Sequence, residues 1–202
     1  MAKYGMVIDL KRCIGCCACE IACKMENATG PGISWTKVLR EERGIFPYVR
    51  FFSLPILCNH CAEAFCEKAC PSGATYRTDE GLVLIDADKC LGCRVCITAC
   101  PYNVRYWMKE KVSYFYPAPL TPYEEMGYAE HETGVVEKCD FCKRRLKEGL
   151  EPACVDICPA EARYFGDLDD PQSTVSQFVK QRNVFQLLPE MGTDPHVYYL
   201  AP

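Results

Sequence analysis

The sequence predicts an α+β fold built from two small cysteine-rich modules, one inserted in the other, with surface loops and an extended C-terminal tail. Three observations predict it. Of the 17 cysteines among 202 residues, sixteen fall into four groups of four. Two stretches of the chain repeat at a constant offset of 77 residues. Between the second and third cysteine groups, Ala74–Arg77 and Leu82–Ile85 flank Asp79-Glu80-Gly81, a hairpin signal.

Group I is Cys13, Cys16, Cys19, Cys23, and group II is Cys58, Cys61, Cys66, Cys70 followed by Pro71. Group III is Cys90, Cys93, Cys96, Cys100 followed by Pro101, and group IV is Cys139, Cys142, Cys154, Cys158 followed by Pro159. Cys17 alone is left over, and reads as a bystander beside the first group. An odd count, a chain much longer than a stapled mini-domain, and cysteines two or three residues apart argue against disulfides. Closely spaced thiolates suit a metal centre. Group III reads C-x2-C-x2-C-x3-C-P, the bacterial-ferredoxin run, and group I differs only in having Lys24 where the proline would stand. Three cysteines at i, i+3 and i+6 can wrap three corners of an iron–sulfur cubane. The fourth, expected at the entry to a helix, points away and ligates a different cluster, and a proline after it suits a first helical turn. Zinc would explain Cys58/Cys61 and Cys139/Cys142 taken alone, but not the full run.

The repeat carries Val7-Ile8-Asp9 and the group I loop onto Leu84-Ile85-Asp86 and the group III loop, so each copy reads as a short strand leading into a cluster loop. Gly15 and Gly92 fall inside the loops, where backbone is expected to pass close to inorganic sulfur. Groups II and IV form the second pair of copies, with Ala74 and Tyr76 matching Ala162 and Tyr164 and seven extra residues inside group IV. Only 20 residues separate Cys70 from Cys90, so groups II and III form one module, residues 55–110, inserted in a first module of residues 1–54 and 139–165. Residues 111–138 form an insertion loop, and residues 166–202 a C-terminal helix and tail. The crossed-ligand rule then gives four expected 4Fe–4S clusters. They are Cys13, Cys16, Cys19 with Cys158; Cys139, Cys142, Cys154 with Cys23; Cys58, Cys61, Cys66 with Cys100; and Cys90, Cys93, Cys96 with Cys70. Joining I with II and III with IV is the weaker alternative, because those gaps are 35 and 39 residues.

The remaining segments carry less chemistry. Trp35 to Ser53 is expected to cover the first module, and Tyr106 and Trp107 to close the second. Pro117, Pro119 and Pro122 are expected to interrupt any helix in Lys111–Lys138, a surface insertion or a docking loop. Val175 to Leu188 has helical periodicity. Leu188 to Pro202 reads as an extended tail, packed back on the core or clasped by another subunit. His60 is expected to hydrogen-bond a cluster sulfur rather than ligate iron, while His131 and His196 receive no chemistry. No nucleotide-loop, hydrolase or zinc-protease motif is present, so no catalytic residue is assigned. The net charge of −4 argues against a nucleic-acid footprint. No apolar run reaches the length of a membrane span, and Met1 to Leu10 shows no signal-peptide core.

Four clusters in a chain of this size would lie on the order of 10 Å apart within a body roughly 40–45 Å across, which suits a conductor of electrons better than a catalyst. The pattern resembles the four-cluster ferredoxin-type iron–sulfur (beta) subunit of molybdopterin oxidoreductases of the dimethyl-sulfoxide-reductase superfamily. Besides the cysteines, the resemblance rests on Gly5-Met6-Val7-Ile8-Asp9, on Cys100-Pro101-Tyr102-Asn103-Val104-Arg105-Tyr106-Trp107, and on Gly166-Asp167-Leu168-Asp169-Asp170-Pro171. The short tail looks most like polysulfide, thiosulfate and respiratory arsenate reductase subunits. The resemblance implies four 4Fe–4S clusters on the sixteen cysteines. It also implies a large catalytic subunit holding a molybdenum or tungsten bis-pterin cofactor, and an integral membrane, quinone-reactive anchor or a soluble redox carrier. It further implies a place on the periplasmic face by co-export with a partner, with the cytoplasm as the alternative. An accessory subunit of a cytoplasmic transhydroxylase-type enzyme is the second functional reading, and a zinc-stabilised scaffold the third.

Overall fold

The computed structural model describes residues 2–181 and 183–201, so Arg182 and Pro202 of the expected helix and tail lie outside the described residues. The chain is a mixed α and β structure of short elements. Its central strand is β1 (Tyr4–Asp9), buried from Gly5 to Asp9. β1 is lined on one edge by antiparallel β8 (Arg163–Asp167) and on the other by parallel β10 (Val197–Leu200), with β9 (Val184–Phe185) beyond, in the order β8-β1-β10-β9. A strand covered on both faces needs an apolar run rather than an alternating one. Successive side chains still point to opposite faces. Met6 and Ile8 enter the main core with Val197 and Tyr199, whereas Val7 packs with Val175 of α7 (Thr174–Gln181) and with Leu200.

A second, smaller ladder repeats the first. β4 (Thr75–Arg77) pairs antiparallel with β5 (Val83–Ile85) across the Asp79–Gly81 turn. Thr75 stands opposite Ile85 here, and Arg163 stands opposite Ile8 in the larger sheet. Ile8 and Ile85 are related by the 77-residue offset, so the two ladders share one register. In each, the strand that follows a C-x3-C-P segment pairs with the strand that leads into a C-x2-C-x2-C loop. This pairing carries group IV to group I and group II to group III. The other two-stranded ladders join β2 (Thr36–Arg43) to β3 (Arg50–Leu57) and β6 (Tyr106–Trp107) to β7 (Val136–Glu137).

Several local expectations need correcting. The fourth cysteine of groups II, III and IV does not open a helix. It follows the short helices α2 (Phe65–Lys68), α3 (Val95–Thr98) and α6 (Ala153–Asp156), and the proline after it ends them, because a residue before proline is pushed out of helical backbone. Group I has Lys24 instead, and there α1 (Ala18–Asn27) runs straight through Cys23. The insertion is not all loop. Pro122 starts α4 (Pro122–Tyr128) rather than breaking it, at a position where a missing N–H costs nothing, and Thr121 and Glu124 close a capping box around it. The extra residues of group IV hold α5 (Lys143–Lys147). The C-terminal helix stops at Gln181, short of the expected Leu188, and the chain turns into β9. The tail, by contrast, packs back on the core as expected: β10 joins the central sheet, and Tyr199 is fully buried with its hydroxyl donating to the Pro55 carbonyl at 2.9 Å. Only the inner part of the β2–β3 hairpin packs on the body, while its tip, Ile45 to Val49, is exposed.

Candidate metal centres

The structure gathers the sixteen grouped cysteines into four quartets. Cys13, Cys16, Cys19 and Cys158 line one void, with Cys17 at its wall. Cys58, Cys61, Cys66 and Cys100 line a second, and Cys70, Cys90, Cys93 and Cys96 a third. Each is a small cavity of about 10 to 20 Å³. In the fourth quartet, Cys139 is influenced by Cys23, Cys142 and Cys154, and Asn27 Nδ2 touches Cys23 Sγ at 3.5 Å and Cys142 Sγ at 4.0 Å. Among the described residues no three His, Cys, Asp or Glu side chains close on a single ion position. Four thiols around one void that do not close on a single ion position fit an iron–sulfur cubane better than zinc.

Burial raises the thiol of Cys19 to about 11, and those of Cys61 and Cys142 to about 12, with neighbouring cysteines adding to the effect. These three therefore keep their protons until a metal replaces them. Cys70 is shifted the other way. Burial acts to raise it, but the Thr75, Ser72 and Ala74 backbone and the Ser72 hydroxyl bring it down to about 7.

Residues that composition and spacing do not single out complete the surroundings. Arg163 and Arg105 are buried cations beside the quartets. Arg163 Nη2 lies 3.4 Å from Cys19 Sγ and 3.2 Å from Thr36 Oγ1. Arg105 donates to Thr75 Oγ1 at 3.1 Å. Lys138, also buried, gives its ammonium to the carbonyls of Val83 and Cys139. The residue after Ala162 in the repeat frame, and an arginine in the Cys100–Trp107 stretch, are the signals by which the sequence could have pointed to them.

His60 is fully buried, stacked on Phe141 at 4.0 Å, and its Nδ1 accepts the Val83 N–H at 3.0 Å. That bond occupies Nδ1, so a hydrogen bond to a cluster sulfur would fall to Nε2, which is buried without a partner among the described residues. Burial and the Lys138 charge hold His60 neutral. His196 packs behind Gly81, where burial lowers it to about 4. Gly15 and Gly92 both have positive φ, which an L side chain resists. A Cβ on Gly15 would strike Ser53 Oγ, and one on Gly92 the Gly134 carbonyl, so neighbouring protein loops already crowd both glycines. Cys17, at positive φ ahead of α1, receives the Arg40 guanidinium at 2.7 Å.

A family described as the 4Fe–4S dicluster domain matches residues 49–115 and again 118–168. The chain is a 4Fe–4S dicluster protein. Its relatives extend the likeness over nearly its whole length. The dicluster chain is 44% identical to the arsenate respiratory reductase iron–sulfur subunit ArrB of Shewanella sp. (strain ANA-3), over 98% of this chain and 96% of the relative. It is 41% identical to a subunit of the selenate reductase of Mesobacillus selenatarsenatis, over 98% of this chain and 72% of the relative. It is 39% identical to a subunit of the tetrathionate reductase of Salmonella typhimurium, with the same coverage, 98% and 72%. The dicluster chain belongs with these reductase subunits, and its cofactors are 4Fe–4S clusters.

Proposed function

We propose that this chain is an electron conductor whose four quartets each hold one 4Fe–4S cluster, with the fourth cysteine of every group serving its partner group. The observation that carries this reading is the pair of ladders in one register, which sets group I against group IV and group II against group III. When bound, the clusters supply one-electron chemistry. The protein supplies their order. Arg163 joins the Cys13 quartet to Cys154 of the Cys139 quartet, Cys58 acts on Cys139, and Arg105 lines both voids of the inserted half. The row therefore runs from the Cys13 quartet through the Cys139 and Cys58 quartets to the Cys90 quartet.

Its two ends are the quartets with an exposed cysteine, Cys16 at one and Cys93 at the other, each flanked by an exposed apolar residue, Ile14 and Leu91. These repeat-related loops are the two places where electrons would enter and leave. In this reading one end meets a molybdopterin-bearing catalytic subunit, and the other a quinone-linked membrane anchor or a soluble carrier, on the periplasmic face by co-export. The relatives' names, subunits of arsenate, selenate and tetrathionate reductases, support a catalytic partner. Among the described residues no helix is long and apolar enough to cross a membrane, and the proposal assigns membrane contact to a partner. Purification of the native complex tests this. A large co-purifying subunit containing molybdenum or tungsten is the expected result, and isolation of the chain without any such subunit would contradict it.

A further inference from the structure

Arg105 and Arg163 are buried without a carboxylate counter-charge among the described residues. Their relative exposures are 3% and 4%. Neither makes an ion pair with a carboxylate among the described residues. Among the described residues Arg105 Nε and Nη2 find no oxygen or nitrogen acceptor. A guanidinium never loses its proton in a protein, so burial without a counter-charge carries a large desolvation penalty. Among the described residues, the groups placed to offset it are the cysteine sulfurs of the quartets. Arg105 lines both the Cys58 and the Cys90 voids, and the thiols of Cys66, Cys96 and Cys58 all act on it. Arg163 lines the Cys13 void, and both Cys154 and Cys19 act on it.

The two arginines reach equivalent places by different routes. Arg163 stands opposite Ile8 in β8, and the same register position in the smaller ladder is Thr75, opposite Ile85. Thr75 carries no charge, but it is the residue to which Arg105 donates, from the segment after Cys100. Each half of the molecule therefore has one cation at the same point of its ladder, drawn from unrelated positions in the chain. Lys138, the other buried cation described above, differs in being satisfied by carbonyls, although its charge also reaches Cys66.

We propose that Arg105 and Arg163 are matched potential-setting residues, each placing one permanent positive charge and its N–H donors between the two quartets of its half. This rests on the reading of the quartets as cluster sites. Reduction adds negative charge to a centre that four thiolates already make anionic, so an adjacent cation favours the reduced form. A shared cation also raises both potentials together, which keeps neighbouring centres matched for transfer between them.

The test is an EPR-monitored redox titration of the complete, cluster-loaded protein, with iron analysis, for Arg105→Gln, Arg105→Lys, Arg163→Gln and Arg163→Lys. The expected result for each Gln variant is a change in two centres and not the other two. Their reduced-to-oxidised ratio at fixed potential falls at least tenfold, which is about 59 mV for a one-electron couple. Each Lys variant is expected to stay within about threefold of the parent. Loss of iron in a Gln variant with retention of iron and potentials in its Lys counterpart also supports a charge requirement. Unchanged potentials, an equal shift of all four centres, or equal iron loss in the Lys and Gln variants would overturn the proposal. A parent protein with fewer than four clusters would instead sink the reading of the quartets.

Discussion

Tyr199 offers the sharpest test of how the chain's two ends hold the first quartet. It sits in β10 opposite Ile8 of the central strand, is fully buried, stacks on Phe185 at 5.6 Å, and donates to the Pro55 carbonyl at 2.9 Å. Tyr199→Phe removes only the hydroxyl, a loss of about 1 kcal/mol for one hydrogen bond. Tyr199→Ala also empties the ring's space, and large aromatic truncations in cores cost about 3–5 kcal/mol. For a domain of this size each kcal/mol moves the unfolding midpoint by roughly 2–4 °C. Tyr199→Phe is thus expected to fall by a few degrees and Tyr199→Ala by on the order of 10 °C. The consequence for the metal site is direct. β1 runs into the group I loop, where the Cys13 N–H donates to the Asp9 carbonyl at 3.0 Å, so a loosened β1 loosens the Cys13 quartet. Anaerobic thermal unfolding, read alongside the rate of iron release to a chelator, measures both effects. If Tyr199→Ala matched Tyr199→Phe within about 1 kcal/mol, the tail would not belong to the core and this reasoning would fail.

Three further outcomes are expected. Cys158→Ser should remove one cluster's iron, about four of about sixteen, and disturb the signal of the group I centre rather than the group IV centre; the reverse in an EPR titration would show uncrossed ligation. His131 Nδ1 lies 2.5 Å from Glu137 Oε1. Burial works against protonating His131, but the Glu137 carboxylate outweighs it and raises the pKa above 6.5. The stabilisation is therefore fully present below the unfolded value near 6.5 and is lost as pH rises through the raised folded value. The stability gap between the parent and Glu137→Gln should accordingly be wider at about pH 6 than at about pH 8.5, and a gap independent of pH in thermal scans would refute this. Thr121→Ala should cost about 1 kcal/mol by opening the capping box of α4, and a chemical-unfolding midpoint identical to that of the parent would count against that cap.

The parts of this molecule that are readable in its sequence are those encoded locally. Strand-then-loop copies at one offset show themselves because each copy carries its own strand residues and cysteine spacing, and the Asp79–Gly81 turn joins neighbouring strands. The capping box at Thr121 and Glu124 is also local, but counting Pro122 as a breaker hides it. The direction of the short helices is lost when the proline is read as a helix start, whereas it acts on the cysteine before it. The rest depends on distant partners. Parallel pairing of β10 with β1 joins residues about 190 positions apart, and no local signal distinguishes that from a free tail. The buried arginines leave only a faint local trace, Arg163 as the residue after Ala162 in the repeat frame and Arg105 within the Cys100–Trp107 stretch. An arginine is ordinarily a solvated residue, and only the placement of the thiols makes Arg105 and Arg163 interior.

The most direct test is metal and sulfide analysis of the full-length chain assembled anaerobically, followed by an EPR-monitored titration. About sixteen irons with matching acid-labile sulfide, and several reducible centres, is the expected result. A colourless protein replete with zinc, or a single reducible centre, would contradict the account of this chain as a four-cluster conductor.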